Sequence, residues 1–143
     1  MVYHFALAFF ATISFAFLFN SPKKELILCG LTGAFGWFLY EIFYNMTGDT
    51  AIATFVHAVA ITALSRLLSF KRKNPITVYL ISGIIPLVPG SGIYYTAYNV
   101  LINESALAYA YGFETLKTAG VISLSIMSVL SLPVKMFNWI ADK

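Results

Sequence analysis

This sequence contains little charge: nine Lys or Arg and six Asp or Glu make up only 10% of its 143 residues. A soluble domain of this size carries about a quarter of its residues as charged side chains. Here 59% of the residues are hydrophobic and the mean hydropathy is +0.80. The shortage of charge therefore excludes an ordinary soluble domain and predicts an all-α integral membrane protein.

Cysteine is also scarce, because Cys29 is the only one in the chain. An intrachain disulfide is impossible, and no His, Cys or carboxylate stands at ligand spacing from Cys29, so we expect a buried packing residue. The sequence lacks a Ser/His/Asp or Cys/His set, a phosphate-binding glycine loop and a paired carboxylate site. We therefore expect no enzyme activity, no cofactor and no metal.

Long apolar runs fill the chain. A hydrocarbon core of about 30 Å requires roughly 20 apolar residues per helix, so the chain has material for about five spans in one transmembrane domain, residues 1–143. The first run has no basic segment before it and no small-residue cleavage site after it, so we expect it to be retained as a span. The predicted spans cover about residues 2–19, 25–46, 50–70, 76–102 and 113–139.

Basic residues predict the orientation of these spans, because loops rich in Lys and Arg stay on the cytoplasmic side. They lie after span one and around the ends of spans three and five, at Lys23, Lys24, Arg66, Lys71, Arg72, Lys73, Lys135 and Lys143. Five spans place all of them on one face and leave Asp49 and Glu104 on the other. The prediction is an external N-terminus and a cytoplasmic C-terminus, with Arg66 facing the lipid headgroups.

The fourth span is interrupted by two prolines. Pro86 and Pro89 each remove a backbone donor and clash with the preceding turn, which in a continuous helix costs about 3 kcal/mol or more each. The residues before them, Ile85 and Val88, are pushed toward extended geometry. The pattern predicts a helix that stops and restarts near Gly90.

Such a break is typical of a solute site. Non-helical backbone at membrane depth is tolerated where protein or water satisfies it, and the N-terminus of the restarting helix favours a carboxylate. The predicted substrate-binding residues are Pro86, Pro89, Gly90, Ser91, Gly92, Tyr94, Tyr95, Tyr98 and Asn99. The alternative is an ordinary proline kink followed by tyrosines of an interfacial belt.

Two titratable residues inside the spans are candidates for proton coupling. Glu41 lies about 8 Å along the axis from the outer end of span two, so the alternative is an acid that reaches the interface. His57 is deeper, and its alternative is a neutral histidine that is hydrogen-bonded to a neighbouring helix. Glu114 and Lys117 are interpreted as an i,i+3 surface pair.

Small residues follow one another at helical spacing in span two. Gly30, Gly33 and Gly36 fall in its first half, with Ala34 four residues after Gly30. This spacing lets a neighbouring backbone approach closely, so we predict that these glycines pack against other helices.

Four segments together resemble a known family: Phe19-Asn20-Ser21-Pro22, the run from Cys29 to Gly36, Ile85-Pro86-Leu87-Val88-Pro89-Gly90, and Tyr95-Thr96-Ala97. Their order and spacing are similar to those of the threonine/serine exporter family. Within it, the chain resembles the small five-helix half that occurs as a separate subunit, as in the small component of a two-subunit bacterial succinate exporter.

The resemblance implies an exporter in the bacterial plasma membrane, driven by protons or by the membrane potential. Its solute would be a small hydrophilic amino acid or a dicarboxylate. The implied partner is a larger membrane subunit of the same family that starts on the cytoplasmic side and meets this chain beside the broken helix; the alternative is a homo-oligomer. Two other functions remain open, a membrane scaffold that does not transport and a passive pore.

Overall fold

The computed structural model of the chain describes residues 2–133. Within this range the protein is helical and contains no strand. Lys135, Lys143 and the last part of the predicted fifth span, residues 134–139, lie outside the described residues. The described α-helices are α1 (Val2–Leu18), α2 (Leu26–Thr47), α3 (Thr50–Arg72), α4 (Thr77–Ile84), α5 (Gly90–Leu101) and α6 (Ser105–Leu130).

Three helical segments among the described residues are long and apolar enough to cross a membrane: Lys23–Thr47, Thr50–Arg72 and Ser105–Leu130. The bent pair formed by Thr77–Leu87 and Gly90–Leu101 would make a fourth span. The apolar part of α1, Tyr3–Leu18, is shorter. The predicted class, an all-α membrane protein, is confirmed, while the count of five spans stays a prediction.

Short polar turns separate the helices. After α2, Gly48 adopts φ 69° and its N–H donates to the carbonyl of Tyr44, which ends the helix in the left-handed conformation that glycine favours. Asp49 then caps α3, because its carboxylate accepts a hydrogen bond of 2.7 Å from the N–H of Ala51. The last described helix, α6, starts at Ser105, earlier than the position near residue 113 where the predicted fifth span starts.

Helix α2 packs between α1 and α3 through its glycines. A Cβ atom added at Gly33 would lie 2.0 Å from Oγ1 of Thr12 on α1, and one at Gly36 would lie 2.6 Å from Cγ1 of Ile61 on α3. A Cβ at Gly30 would lie 2.7 Å from the ring of Phe9. Because non-bonded atoms do not approach this closely, α1 and α3 can pack this close to α2 only where α2 has no side chain.

One end of the bundle is tied together by a buried carboxylate. Glu25, which is 6% exposed, accepts hydrogen bonds from the hydroxyl of Tyr79 at 2.9 Å and from Nε of Arg72 at 3.2 Å. Tyr79 is fully buried, and its oxygen accepts from the amide of Asn74 at 3.2 Å. These contacts bring the α1–α2 and α3–α4 loops to the same end of the protein, where both predicted basic clusters lie.

We expect Tyr79→Phe to destabilise the protein by about 1–2 kcal/mol, because the buried carboxylate of Glu25 and the amide of Asn74 would each lose a partner. The measurement is the thermal unfolding temperature in detergent. Tyr109→Phe on α6 is the control, because Tyr109 is 75% exposed. An equal unfolding temperature for Tyr79→Phe and the wild type would contradict the stabilising role of this cluster.

Arg66 does not face the lipid headgroups, so that prediction is wrong. Its side chain is 7% exposed, and its guanidinium donates to the carbonyl of Val129 at 2.6 Å and to that of Leu132 at 2.7 Å. The last carbonyls of a helix have no partner within the helix, and the planar guanidinium can satisfy several of them at once. Arg66 thus joins α3 to the end of α6.

Candidate solute site at the helix break

The fourth apolar stretch stops and restarts as predicted. Helix α4 continues into a 3-10 turn at Ile85–Leu87, and α5 begins at Gly90, with the two arms bent by 49°. Val88 is extended, at φ −59° and ψ 132°, which confirms the expectation for a residue before proline.

Ile85 is not extended, and the prediction for this residue is wrong. It has helical angles, φ −57° and ψ −42°, and its N–H donates to the carbonyl of Ile81. Pro86 stands at the start of the 3-10 turn, where a missing N–H is tolerated. The break therefore lies at Val88 and Pro89, while Pro86 only marks the change from α-helix to 3-10 turn.

The turn before the break is anchored in the interior of the protein. Leu87 is 8% exposed and packs with Ala58 of α3 and Ile122 of α6. Val88, the next residue, is 45% exposed. Because the turn is anchored at Leu87, the exposed and extended backbone that follows it at Val88 is held in a defined place.

The break leaves backbone groups without partners. The N–H of Gly90 donates to the carbonyl of Val88 at 2.7 Å, and that of Ile93 donates to Pro89 at 3.1 Å. Within residues 2–133, the N–H groups of Ser91 and Gly92 donate to no backbone or side-chain acceptor, and the carbonyls of Pro86 and Leu87 accept from none. Donors and acceptors are thus both available around this break.

The tyrosines after the break form an exposed surface. Tyr94, Tyr95 and Tyr98 are 62%, 46% and 47% exposed. The rings of Tyr94 and Tyr98 stack 6.2 Å apart, and Tyr95 stacks at 5.3 Å on Tyr111 of α6, which sequence reasoning did not single out. Tyr94 and Tyr98 thus present their phenol groups on the exposed side of α5, while Tyr95 stands against α6.

The two remaining predicted residues on α5 have internal contacts. Asn99 is 5% exposed, and its amide donates to the carbonyl of Tyr95 at 2.7 Å. A Cβ atom added at Gly92 would lie 2.3 Å from Oγ1 of Thr115, so this glycine permits the close approach of α5 and α6. The side chain of Asn99 is thus buried, and a side chain at position 92 would meet α6.

Pro86 lies on a groove between α1, α2 and the 3-10 turn. The groove has a volume of about 200 Å³. It is lined by His4, Leu7, Ala8, Ala11, Trp37 and Pro86. Sequence reasoning missed His4 and Trp37, and no local pattern could have found them, because the groove forms only where α1 packs against α2.

Glu41 is hydrogen-bonded to the groove residue His4, through Oε1 and the imidazole Nδ1. The side chain of Glu41 is 15% exposed and that of His4 is 54% exposed. A carboxylate on α2 and an imidazole on α1 therefore meet at a residue that lines the groove.

His57, the other candidate for proton coupling, is enclosed by aromatic rings. It is 1% exposed, and the rings of Trp37 and Tyr40 stand nearly perpendicular to its ring, with centroids 6.1 and 6.3 Å away. Neither ring nitrogen forms a hydrogen bond to any of the described residues. Trp37 therefore contacts His57 and also lines the groove, while His57 does not line it.

The family described as threonine/serine exporter, ThrE, matches residues 4–132 of the chain. This chain is a member of that family. The match includes the break, the tyrosine surface and the groove with its His4–Glu41 pair. No match was found among curated proteins or among solved structures.

Membership in the threonine/serine exporter family confirms the resemblance that the sequence motifs indicated. Together with the apolar helices, it establishes a membrane-embedded protein of an amino-acid export family, with a role in transport. The family indicates a transporter rather than an enzyme. The subunit type within the family stays a prediction.

Proposed function

We propose that the chain is a subunit of a secondary exporter that moves threonine or serine out across the bacterial plasma membrane. The segment from Pro86 to Gly92, which contains the break, is its solute site. The observation that carries this proposal is that the N–H groups of Ser91 and Gly92, at the start of α5, have no acceptor among residues 2–133.

A carboxylate suits these donors. The first N–H groups of a helix point along its axis, and the helix dipole places partial positive charge at the same end. The unpartnered carbonyls of Pro86 and Leu87 offer acceptors for the ammonium or hydroxyl group of the same solute. A hydroxy amino acid carries both kinds of group, so the backbone alone can bind it without a charged side chain.

The exposed tyrosines support a partner at this face. Tyr94, Tyr95 and Tyr98 place phenol hydroxyls on a surface that would otherwise meet lipid, where unpaired polar groups are costly. A larger membrane subunit of the same family would cover α5 and complete the site, with a second copy of this chain as the alternative. The proposed orientation has the N-terminus outside and the C-terminus in the cytoplasm.

Ser91→Pro tests the site, because it removes one backbone N–H while proline is tolerated in the first turn of a helix. We expect threonine export to fall by about tenfold or more, because the charged carboxylate of the solute would lose one hydrogen bond. The measurement is the threonine that remains inside cells loaded with a threonine peptide.

Ser91→Ala is the matched control, because it keeps the N–H and removes only the exposed hydroxyl. We expect it to export nearly as well as the wild type. Equal export by Ser91→Pro and the wild type would show that these donors do not bind the solute. If Ser91→Pro exported like the wild type while export still required the presence of the chain, the two results together would favour the scaffold function instead. Retention of succinate rather than threonine after deletion of the gene would instead favour a dicarboxylate exporter.

A further inference from the structure

The groove between α1 and α2 combines an apolar wall with a histidine, His4, that is hydrogen-bonded to the carboxylate of Glu41. Leu7, Ala8 and Ala11 of α1 form the wall, and Trp37 of α2 and Pro86 of the 3-10 turn close its sides. A volume of about 200 Å³ is below the range of sites for drug-sized ligands, so the groove admits only a small molecule.

Glu41 and Trp37 lie on the same face of α2, because they are four residues apart in one helix. The hydrogen bond to His4 ties the carboxylate of Glu41 to a residue of the groove, which the indole ring of Trp37 also lines. A carboxylate next to an indole ring suits an ammonium group, which can form an ion pair with the first and a cation–π contact with the second.

We infer that this groove is a second subsite for an α-amino acid, in which Glu41 binds the ammonium group. This inference rests on the proposed function, since it assumes that the chain transports an amino acid. The ammonium group replaces the imidazole of His4 as a donor to Glu41, and the apolar wall contacts the alkyl part of the solute. Pro86 borders both the groove and the break, so the subsite adjoins the unpaired backbone groups.

The same arrangement selects against a dicarboxylate. Succinate has no cationic group to exchange with His4, and its carboxylates are repelled by Glu41 because like charges at close range are unfavourable. Glu41 thus determines specificity, and the structure assigns the groove to amino acids rather than to diacids.

The fluorescence of Trp37 reports on the groove directly. The chain has two tryptophans, so Trp139→Phe leaves Trp37 as the only one. We expect threonine to change the emission of this purified protein in a saturable way, and succinate to leave it unchanged. Glu41→Gln in the same background should raise the apparent Kd for threonine at least tenfold. Glu114→Gln, which changes an acid on α6 that is 62% exposed, should leave the Kd unchanged.

Ala11→Phe provides a second variant, because it fills the groove and leaves Glu41 in place. It should abolish the response to threonine.

The inference is overturned if Glu41→Gln or Ala11→Phe binds threonine like the wild type, if succinate gives the same response as threonine, or if only a brominated lipid alters the emission. If the wild type exports threonine but the fluorescence of Trp37 does not respond to threonine, the subsite alone is refuted. If neither threonine export nor the fluorescence response is observed, the proposed function is refuted as well.

Discussion

Replacing Gly33 by alanine is expected to lower the unfolding temperature of the protein in detergent by several degrees. The added Cβ would lie 2.0 Å from Oγ1 of Thr12, so α1 and α2 would have to separate. Thr12 cannot easily turn away, because it is fully buried and its hydroxyl donates to the carbonyl of Ala8 at 2.8 Å. Overpacking of this kind costs about 1–3 kcal/mol, and the short distance indicates the upper part of that range.

Gly120→Ala is the matched control for Gly33→Ala. Gly120 also lies inside a helix, but an added Cβ there meets no atom within 4 Å. Alanine is the better helix former by about 1 kcal/mol, so this variant should be as stable as the wild type or slightly more stable. If the two variants have the same unfolding temperature, the close contact between α1 and α2 at Gly33 is not present.

Arg66→Met is expected to destabilise the protein by about 3 kcal/mol or more, because hydrogen bonds to a charged group contribute about 1.5–3 kcal/mol each. The carbonyls of Val129 and Leu132, to which Arg66 donates at 2.6 and 2.7 Å, would lose this donor. The end of α6 would then separate from α3. The measurement is the unfolding temperature, together with proteolysis near residue 130.

Two further variants give this prediction its controls. Arg66→Lys keeps the charge but lacks the planar group that contacts several carbonyls, so its stability should fall between those of the wild type and Arg66→Met. Lys117→Met removes a surface cation 3.6 Å from Glu114 and should change stability by less than about 0.5 kcal/mol. Wild-type stability in Arg66→Met would mean that the guanidinium does not hold α6.

The helix break could be predicted because its cause is local. Pro89 removes its own N–H and restricts Val88, so the neighbouring residues suffice to place the end of one helix and the start of the next. The backbone conformation of Ile85 was predicted wrongly, because the effect of Pro86 on the residue before it depends on whether this proline begins a turn or lies within one. The α-helix changes to a 3-10 turn there, and a proline at its start is tolerated.

The surroundings of the site could not be predicted in the same way. The partner of Glu41 is His4, 37 positions away, and the partners of Arg66 are 63 to 66 positions away. Sequence reasoning treated Arg66 as a headgroup residue because it lies close to the basic loop that starts at Lys71. Its neighbours in space are instead the last carbonyls of α6, and the periodicity of α3 contains no information about them.

The sequence by itself determined the membrane class, the place of the break and the family, because hydropathy, proline geometry and motif spacing act within short segments of chain. Only the tertiary structure decided which groups at the break are unpartnered, that Glu41 meets His4 beside Trp37, and that Arg66 is buried. These features depend on which helix faces approach one another. The approach is set by packing between distant residues such as Gly33 and Thr12, which no local pattern records.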